Sequence, residues 1–257
     1  MQHIYIIAEI GCNHCGDPVR AKKMVEEAKA CGVDAVKFQT FKAAELISKY
    51  APKADYQKVT TGNNENQLEM TRKLELPYDE FIKLRDYAIS LGLDTFSTPF
   101  DMDSISFLEE QKQAIWKIPS GEVTNLPFLE RIAKFRVPNK KIILSTGMCT
   151  IDEIHQAVDI ILKYEMPENL IILHCNTEYP TPDKDVNLSG IDTLHKEFPG
   201  IQIGFSDHSV GCVAAIGACM KDICCIEKHF TLDKNLPGPD HKASATPDEL
   251  KALCENV

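Results

Sequence analysis

The sequence lacks any long apolar run: no stretch of its 257 residues approaches the ~20 apolar residues that a membrane-spanning helix needs. It also lacks a secretory leader pattern, because the first apolar segment, residues 4–10, contains an acidic side chain and no cleavage-site motif. Basic residues are outnumbered, with 28 Lys and Arg against 38 Asp and Glu and a net charge of −10. Binding to nucleic acid needs a basic face. We therefore expect a cytoplasmic protein with neither a membrane nor a nucleic-acid partner.

A second Cys-x-x-Cys pair is also missing, although the chain has ten cysteines. Cys12 and Cys15 have the spacing of a redox or metal motif, with His14 between them, but nothing completes a four-ligand zinc site. Most of the other cysteines lie within apolar runs, as small buried side chains do. We predict reduced thiols without a catalytic role.

Short apolar segments rich in Val, Ile and Phe alternate with segments of helical periodicity along the chain. The eight predicted strands are residues 4–11, 35–40, 94–100, 115–121, 141–147, 170–176, 201–207 and 224–230. Helix signals between them include the cap Asp17-Pro18 and the capping box Thr150-x-x-Glu153. This alternation predicts a parallel sheet, and no G-x-G-x-x-G follows the first strand to support an open dinucleotide-binding sheet. We predict one α/β domain over residues 1–257, a (β/α)₈ TIM barrel.

Each predicted strand ends in polar groups for which an apolar strand has no structural need. In a barrel all eight ends open on one face, so these groups are expected to form one pocket. They are Glu9, Lys37 with Gln39, Thr98, Lys117 with Ser120 and Glu122, Ser145, Asn176 with Tyr179, Ser206 with His208, and Glu227 with Lys228 and His229.

A phosphate cradle is the first arrangement that these residues predict. Lys37 and Lys117 supply two positive charges, and serine hydroxyls and glycine-permitted backbone N–H groups accompany them at Ser120, Ser145 and Ser206. The alternative is that one lysine forms a structural ion pair with Glu9 or Glu122.

A metal pair and a set of carboxylates are the other two arrangements. His208 and His229 end neighbouring strands, so both imidazoles can reach one divalent ion; two ordinary hydrogen-bonded histidines are the alternative. Glu9 and Glu122 can handle protons at the strand ends. Asp240, in a Gly-Pro-Asp-His loop, either binds hydroxyls of a polar substrate or is a turn residue.

Nine short motifs follow one another in order along the chain. They are IAEIGCNH (7–14), VKFQT (36–40), FSTPF (96–100), WKIPSGE (116–122), LSTGM (144–148), HCNTEYPTP (174–182), FSDH (205–208), EKHFT (227–231) and GPDH (238–241). In this order the chain resembles the sialic acid synthase family, which includes the N-acetylneuraminate and N,N'-diacetyllegionaminate synthases. These transferases condense phosphoenolpyruvate with N-acylated amino sugars.

The resemblance implies a role for each matching residue. His208 and His229 would bind Mn²⁺ or another divalent cation, which polarises the sugar aldehyde while phosphoenolpyruvate C3 attacks it. Glu9 and Glu122 would be catalytic, with Glu122 moving protons to and from the water that adds at C2. The implied phosphoenolpyruvate contacts are Lys37, Thr98, Lys117, Ser120, Ser145, Ser206 and Asn176 or Thr177. The implied sugar contacts are Glu9, Gln39, Asn63, Tyr179 and Asp240.

Two departures from the family pattern leave alternatives open. Some members read Cys-Thr-Asn where this chain has Cys175-Asn176-Thr177, so the phosphoenolpyruvate contact is divided between Asn176 and Thr177. The Asn-Thr-Glu-Tyr form is similar to the legionaminic acid branch, so the sugar is N-acetylmannosamine or a diacetamido-trideoxy relative. Members also usually continue into a small antifreeze-like domain that reaches the partner's active site in a homodimer, whereas this sequence ends before it.

Two further hypotheses remain at this point. One is a phosphoenolpyruvate-dependent condensation of the heptulosonate type, against which the SGE and GPDH motifs count. The other is a ligand-binding barrel that is catalytically impaired by truncation.

Overall fold

Eight parallel strands form one sheet in the computed structural model, which describes residues 3–54, 57–58, 61–62 and 65–257. The sheet order is β3-β2-β1-β8-β7-β6-β5-β4, and β3 lies beside β4, so the sheet curls into a nearly closed barrel. The predicted (β/α)₈ TIM barrel is confirmed. The strands are β1 (Tyr5–Gly11), β2 (Ala35–Thr40), β3 (Asp94–Pro99), β4 (Ile115–Ile118), β5 (Lys141–Ser145), β6 (Leu170–Cys175), β7 (Gln202–Asp207) and β8 (Cys225–His229).

A side chain bridges the seam between β3 and β4. Gln113, two residues before β4, accepts the backbone N–H of Ser97 at 2.7 Å and donates to the backbone carbonyl of Ser97 at 2.9 Å. These replace the two hydrogen bonds that the backbone of a neighbouring parallel strand would make, so the buried backbone of Ser97 is fully paired.

Helices cover the outside of the barrel. Asp17 caps the helix that begins at Pro18 as predicted, and the predicted capping box of Thr150 and Glu153 begins the helix at Ile151. Within the described part of the chain, no helix combines the length and the apolar character needed to cross a membrane. The helices that lie wholly within the described residues are α1 (Pro18–Cys31), α2 (Ala43–Leu46), α3 (Gln67–Arg72), α4 (Tyr78–Ser90), α5 (Met102–Glu110), α6 (Leu126–Lys134), α7 (Ile151–Leu162), α8 (Ser189–Glu197), α9 (Val213–Ala218) and α10 (Pro247–Asn256).

Some strands are shorter than predicted. The prediction of a strand over residues 115–121 is wrong at its end: β4 stops at Ile118, and Ser120–Glu122 form a 3₁₀ turn. Pro119 has no N–H to donate to a ladder, so the chain leaves the sheet at this point. The turn brings Ser120 to the mouth of the barrel instead of continuing the strand.

The apolar interior of the barrel determines where the polar strand ends lie. Side chains two positions apart on a strand share a face. The residue two positions after an interior residue therefore also points inward, but nearer the carboxyl-terminal mouth. Glu9 follows Ile7 in this way and Lys37 follows Ala35. The interior cluster consists of Ile7, Ala35, Phe96, Ile143, Leu173 and Cys225.

Candidate active site

The polar strand ends meet in a cavity of about 180 Å³ at the carboxyl-terminal mouth of the barrel. Two of its lining residues, Phe100 and Pro119, were not singled out from the sequence, and Glu227 was expected in the pocket but without a specific role. The predicted residues that line it are Glu9, Lys37, Gln39, Thr98, Lys117, Ser120, Ser145, Thr177, Tyr179, Ser206, His208 and His229.

Lys37 lies at the floor of the cavity between two carboxylates. Its ammonium nitrogen is 2.7 Å from Glu9 Oε2 and 3.6 Å from Glu227 Oε2. It also donates a hydrogen bond to Thr98 Oγ1 at 3.0 Å. Lys37 therefore forms the ion pair with Glu9 that the sequence offered as the alternative to phosphate binding for one lysine. Both partners of this pair line the cavity.

Lys117 is the second lysine of the cavity, and it also lies near the Glu227 carboxylate. Its Nζ donates to Ser145 Oγ at 2.7 Å and lies 3.8 Å from Glu227 Oε1, which also accepts a hydrogen bond from Ser206 Oγ at 3.0 Å. Glu227 is thus shared between both lysines. The sequence contained a signal for it, because Glu227 stands two residues before His229 on one strand and so points to the same face.

Burial acts differently on the two carboxyl groups. Desolvation raises the pKa of Glu9 even though Lys37 lies against it. Desolvation also opposes ionisation of Glu227, but the charges of Lys117 and Lys37 outweigh it and hold its pKa below the usual range. Glu227 is therefore the ionised partner of the lysines, and Glu9 is the carboxyl group that can take up a proton. With Glu9 protonated, the two lysines outnumber the one ionised carboxylate, and the cavity has positive charge for an anion.

A tight turn after β5 completes the cationic side of the cavity. The backbone N–H of Gly147 donates to Ser120 Oγ at 2.9 Å. A Cβ atom at Gly147 would lie 2.8 Å from Thr177 Cγ2, 3.1 Å from Ser120 Oγ and 3.2 Å from Cys175 Sγ. Only glycine fits this close approach, which joins the ends of β4, β5 and β6.

His208 and His229 form a polar corner with Tyr179, which stacks on His208 and meets His229 edge to face. The ring centroids of the two histidines are 5.3 Å apart, and that of Tyr179 is 4.2 Å from His208. His208 Nδ1 donates to the backbone carbonyl of Asn176 at 2.5 Å, which leaves Nε2 as an acceptor, and the Tyr179 hydroxyl lies 3.2 Å from it. Burial lowers the pKa of both histidines, that of His208 to about 4.

This corner fits a divalent metal ion. A backbone hydrogen bond on one ring nitrogen that orients the other is the usual outer-shell arrangement of a histidine ligand. His229 Nδ1 is buried and has no hydrogen-bond partner among the described residues. No group of three or more His, Cys, Asp or Glu side chains in the described ranges is spaced to hold a metal by itself. Substrate oxygens and waters would have to complete the coordination, as Mn²⁺, Zn²⁺ and Co²⁺ permit.

Four predicted residues do not line the central cavity: Glu122, Asn176, Asp240, and Lys228, which is buried against Asp207. Glu122 lines a neighbouring cavity of about 480 Å³, which shares Phe100 with the first, and accepts a hydrogen bond from Asn125 at 2.6 Å. The Asn176 side chain donates to the Asp185 carbonyl at 2.9 Å, whereas Thr177 lines the central cavity. Of the two residues left open by the sequence, the structure brings Thr177 to the site.

The Asp240 loop is held by the cysteines that follow β1. The Cys12 thiol donates to Asp240 Oδ2 at 3.4 Å, and Cys15 Sγ is 3.2 Å from the Pro237 carbonyl. Burial raises the pKa of Asp240 to about 6. All ten cysteines are free thiols. Asn63, predicted to bind the sugar, lies outside the described residues.

Known proteins resemble this chain over nearly its whole length. The family model "NeuB family" matches residues 24–257. N,N'-diacetyllegionaminic acid synthase of Campylobacter jejuni is 48% identical over 100% of this chain and 76% of the relative. The protein of the same name from Legionella pneumophila is 44% identical over 98% of this chain and 71% of the relative. The crystal structure of N-acetylneuraminic acid synthetase from Leptospira borgpetersenii, in complex with citrate, superposes with a TM-score of 0.84 at 34% identity, covering 98% of this chain and 82% of that one.

Proposed function

Because the chain belongs to the NeuB family, the sialic acid synthases, we propose that it condenses phosphoenolpyruvate with an N-acylated amino sugar and releases phosphate. One observation carries the proposal. Two buried lysines that share a single firmly ionised carboxylate, Glu227, line the same cavity as the histidine pair. A cavity with this charge binds a small polyanion beside a group that can activate a carbonyl.

Phosphoenolpyruvate would bind between Lys37 and Lys117. Ammonium groups form charge-assisted hydrogen bonds with phosphate and carboxylate oxygens, and burial strengthens them. The hydroxyls of Ser120, Ser145 and Thr177 line the same wall and can donate to the remaining oxygens. If the substrate draws Lys37 away from Glu9, the Glu9 carboxylate loses its positive partner. It would then take up a proton, in keeping with its raised pKa.

His208 and His229 would hold a divalent cation, Mn²⁺ in our proposal. When bound, such an ion withdraws electron density from a coordinated carbonyl oxygen and makes its carbon more electrophilic. The protein's part is to orient the imidazoles through the Asn176 carbonyl and to hold the aldehyde beside them.

The reaction then balances with one water molecule. The C3 carbon of phosphoenolpyruvate forms a bond to the aldehyde carbon, and the aldehyde oxygen takes a proton from Glu9. Water adds at C2 and gives up a proton, for which Glu122, in the neighbouring cavity, is the proposed acceptor. The C2–O bond to phosphate breaks, and the second water proton passes to the departing phosphate as the C2 ketone forms. The products are a nine-carbon keto sugar acid and phosphate.

Between the two sugars left open by the sequence, we propose the diacetamido-trideoxy sugar. The support is that two relatives at 48% and 44% identity carry the name N,N'-diacetyllegionaminic acid synthase. A homodimer in the cytoplasm is part of the same proposal and rests on the family resemblance.

Mass spectrometry of the products formed from each sugar tests the substrate. Phosphoenolpyruvate labelled with ¹⁸O at the bridging oxygen tests the bond that breaks. C–O cleavage predicts that the label leaves in phosphate, and label retained in the sugar acid would contradict it. Erythrose 4-phosphate serves as the control sugar, since its use would favour the heptulosonate reaction.

A further inference from the structure

Behind the histidine pair, Asp207 and Lys228 form an ion pair that is completely buried. The Lys228 Nζ is 2.9 Å from Asp207 Oδ2, and both side chains have 0% exposure. The two residues are ladder partners in the pairing of β7 with β8, which begins at Phe205 and Ile226. His208 directly follows Asp207 at the end of β7, and His229 follows Lys228 as the last residue of β8.

The surroundings of this pair are apolar. Residues 203 and 205 precede Asp207 on its face of β7, and residues 226 and 230 flank Lys228 on its face of β8; all four side chains belong to the core between barrel and helices. Taking two charges out of water is costly, and apolar residues of similar volume are often at least as stabilising. Stability alone therefore does not account for charges at this position.

The pair also fixes the backbone on both sides of His208 through hydrogen bonds to Ser209. Lys228 Nζ donates to the Ser209 carbonyl at 2.6 Å. Asp207 Oδ1 accepts hydrogen bonds from the Ser209 backbone N–H at 2.8 Å and from its hydroxyl at 2.6 Å. His208 thus lies between two residues held by one ion pair, and His229 directly follows the lysine of that pair.

We propose that Asp207 and Lys228 are positioning residues that set the spacing and direction of the His208 and His229 imidazoles. Side chains alternate across a strand, so a contact that fixes one residue of each strand on the outer face fixes its successor on the inner face. The inference rests on the proposed function in that a metal ion is the group the imidazoles would bind. The positioning itself is a property of the protein alone.

The test removes both charges together, because a single substitution would leave the other charge buried and unpaired. The double variant Asp207→Leu, Lys228→Met should fold and should bind Mn²⁺ about 10- to 100-fold more weakly, as outer-shell changes typically do. Mn²⁺ dissociation constants come from electron paramagnetic resonance of the free ion. The matched control is the double variant Lys140→Met, Glu165→Leu, which removes another buried ion pair, with its atoms 2.9 Å apart, and should retain the Mn²⁺ affinity.

A metal-free measurement separates this inference from the proposed metal. In protein labelled with ¹⁵N-histidine, the His208 Nδ1–H that donates to the Asn176 carbonyl gives a distinct ¹H–¹⁵N correlation. This signal should shift or broaden in the double variant and stay unchanged in the control. If the native chain binds no Mn²⁺, the metal proposal fails, and the imidazole signals still decide the positioning role.

A milder variant covers the case in which the double variant does not fold. Ser209→Ala keeps both charges but removes the hydroxyl that donates to Asp207. We expect a smaller weakening of Mn²⁺ binding and a shifted His208 signal. Native Mn²⁺ affinity together with native imidazole signals, in the double variant or in a folded Ser209→Ala protein, would overturn the inference.

Discussion

Glu9 and Lys37 are register partners on neighbouring strands, and their charged groups meet 2.7 Å apart inside the barrel mouth. Both are buried, and both line the cavity that also holds the histidine pair. An anion that takes Lys37 from Glu9 changes the charge balance of the site, which links substrate binding to proton uptake. The predictions below test this cavity and the fold that supports it.

Replacement of Lys117 by methionine should raise the KM for phosphoenolpyruvate by about 10- to 100-fold, because a hydrogen bond to a charged group contributes ~1.5–3 kcal/mol. The KM for the sugar should change much less. Steady-state kinetics with each substrate varied in turn measures both values. Equal effects on the two substrates would instead indicate that Lys117 holds the barrel mouth together.

The variant His208→Ala should lose Mn²⁺ binding and most turnover while the protein stays folded. The loss of a direct ligand should exceed the ~100-fold upper range of outer-shell changes. Isothermal calorimetry with Mn²⁺ and circular dichroism check the two parts. His174→Gln is the control, since His174 bonds the Val186 carbonyl outside the cavity. Turnover that persists in the variant and resists chelators would contradict the metal role.

Adding one methyl group at Gly147 should damage the phosphoenolpyruvate site. The new Cβ in Gly147→Ala would lie 2.8 Å from Thr177 Cγ2, so the turn after β5 must move. We expect a higher KM for phosphoenolpyruvate and a loss of stability of about 1–3 kcal/mol. Thr177→Ser removes the clashing methyl group, so the double variant should recover part of both losses in kinetics and denaturant unfolding. No recovery would mean that the clash lies elsewhere.

Acid should destabilise the protein partly through His14. Burial lowers the pKa of His14 to about 4 from 6.5, so between these values the unfolded chain binds a proton that the folded chain does not. The free energy of unfolding should therefore fall as the pH drops from about 6.5 to 4, by about 3 kcal/mol from this residue. Its contribution is fully present above pH 6.5.

Denaturant unfolding at a series of pH values measures this loss. His14→Asn keeps an acceptor for the Gly16 N–H and should have a shallower decline between pH 6.5 and 4. His155→Asn, at an exposed position, should decline as steeply as the native chain. Parallel curves for native and His14→Asn proteins would show that His14 does not carry the effect.

The sequence determined the fold class because each unit repeats the same physical pattern. Eight apolar runs of strand length separated by capped amphipathic helices have few solutions other than a closed parallel barrel. The same periodicity determined which residues reach the cavity. Glu9, Lys37 and His229 each follow an inward-facing residue by two positions. Because side chains alternate along a strand, all three were expected to point into the barrel as well.

Other features depended on contacts that no local pattern contains. Glu122 is only two residues after Ser120 in sequence, but the 3₁₀ turn after Pro119 directs its side chain into the neighbouring cavity. Thr177 and not Asn176 reaches the central cavity, because the Asn176 amide bonds Asp185 nine residues further on. Glu227 and Lys228 are both charged and both buried, yet one faces two lysines inside the barrel and the other faces Asp207 behind it. A charged residue's role was decided by its long-range partners, and only the packed barrel brings those partners within hydrogen-bond distance.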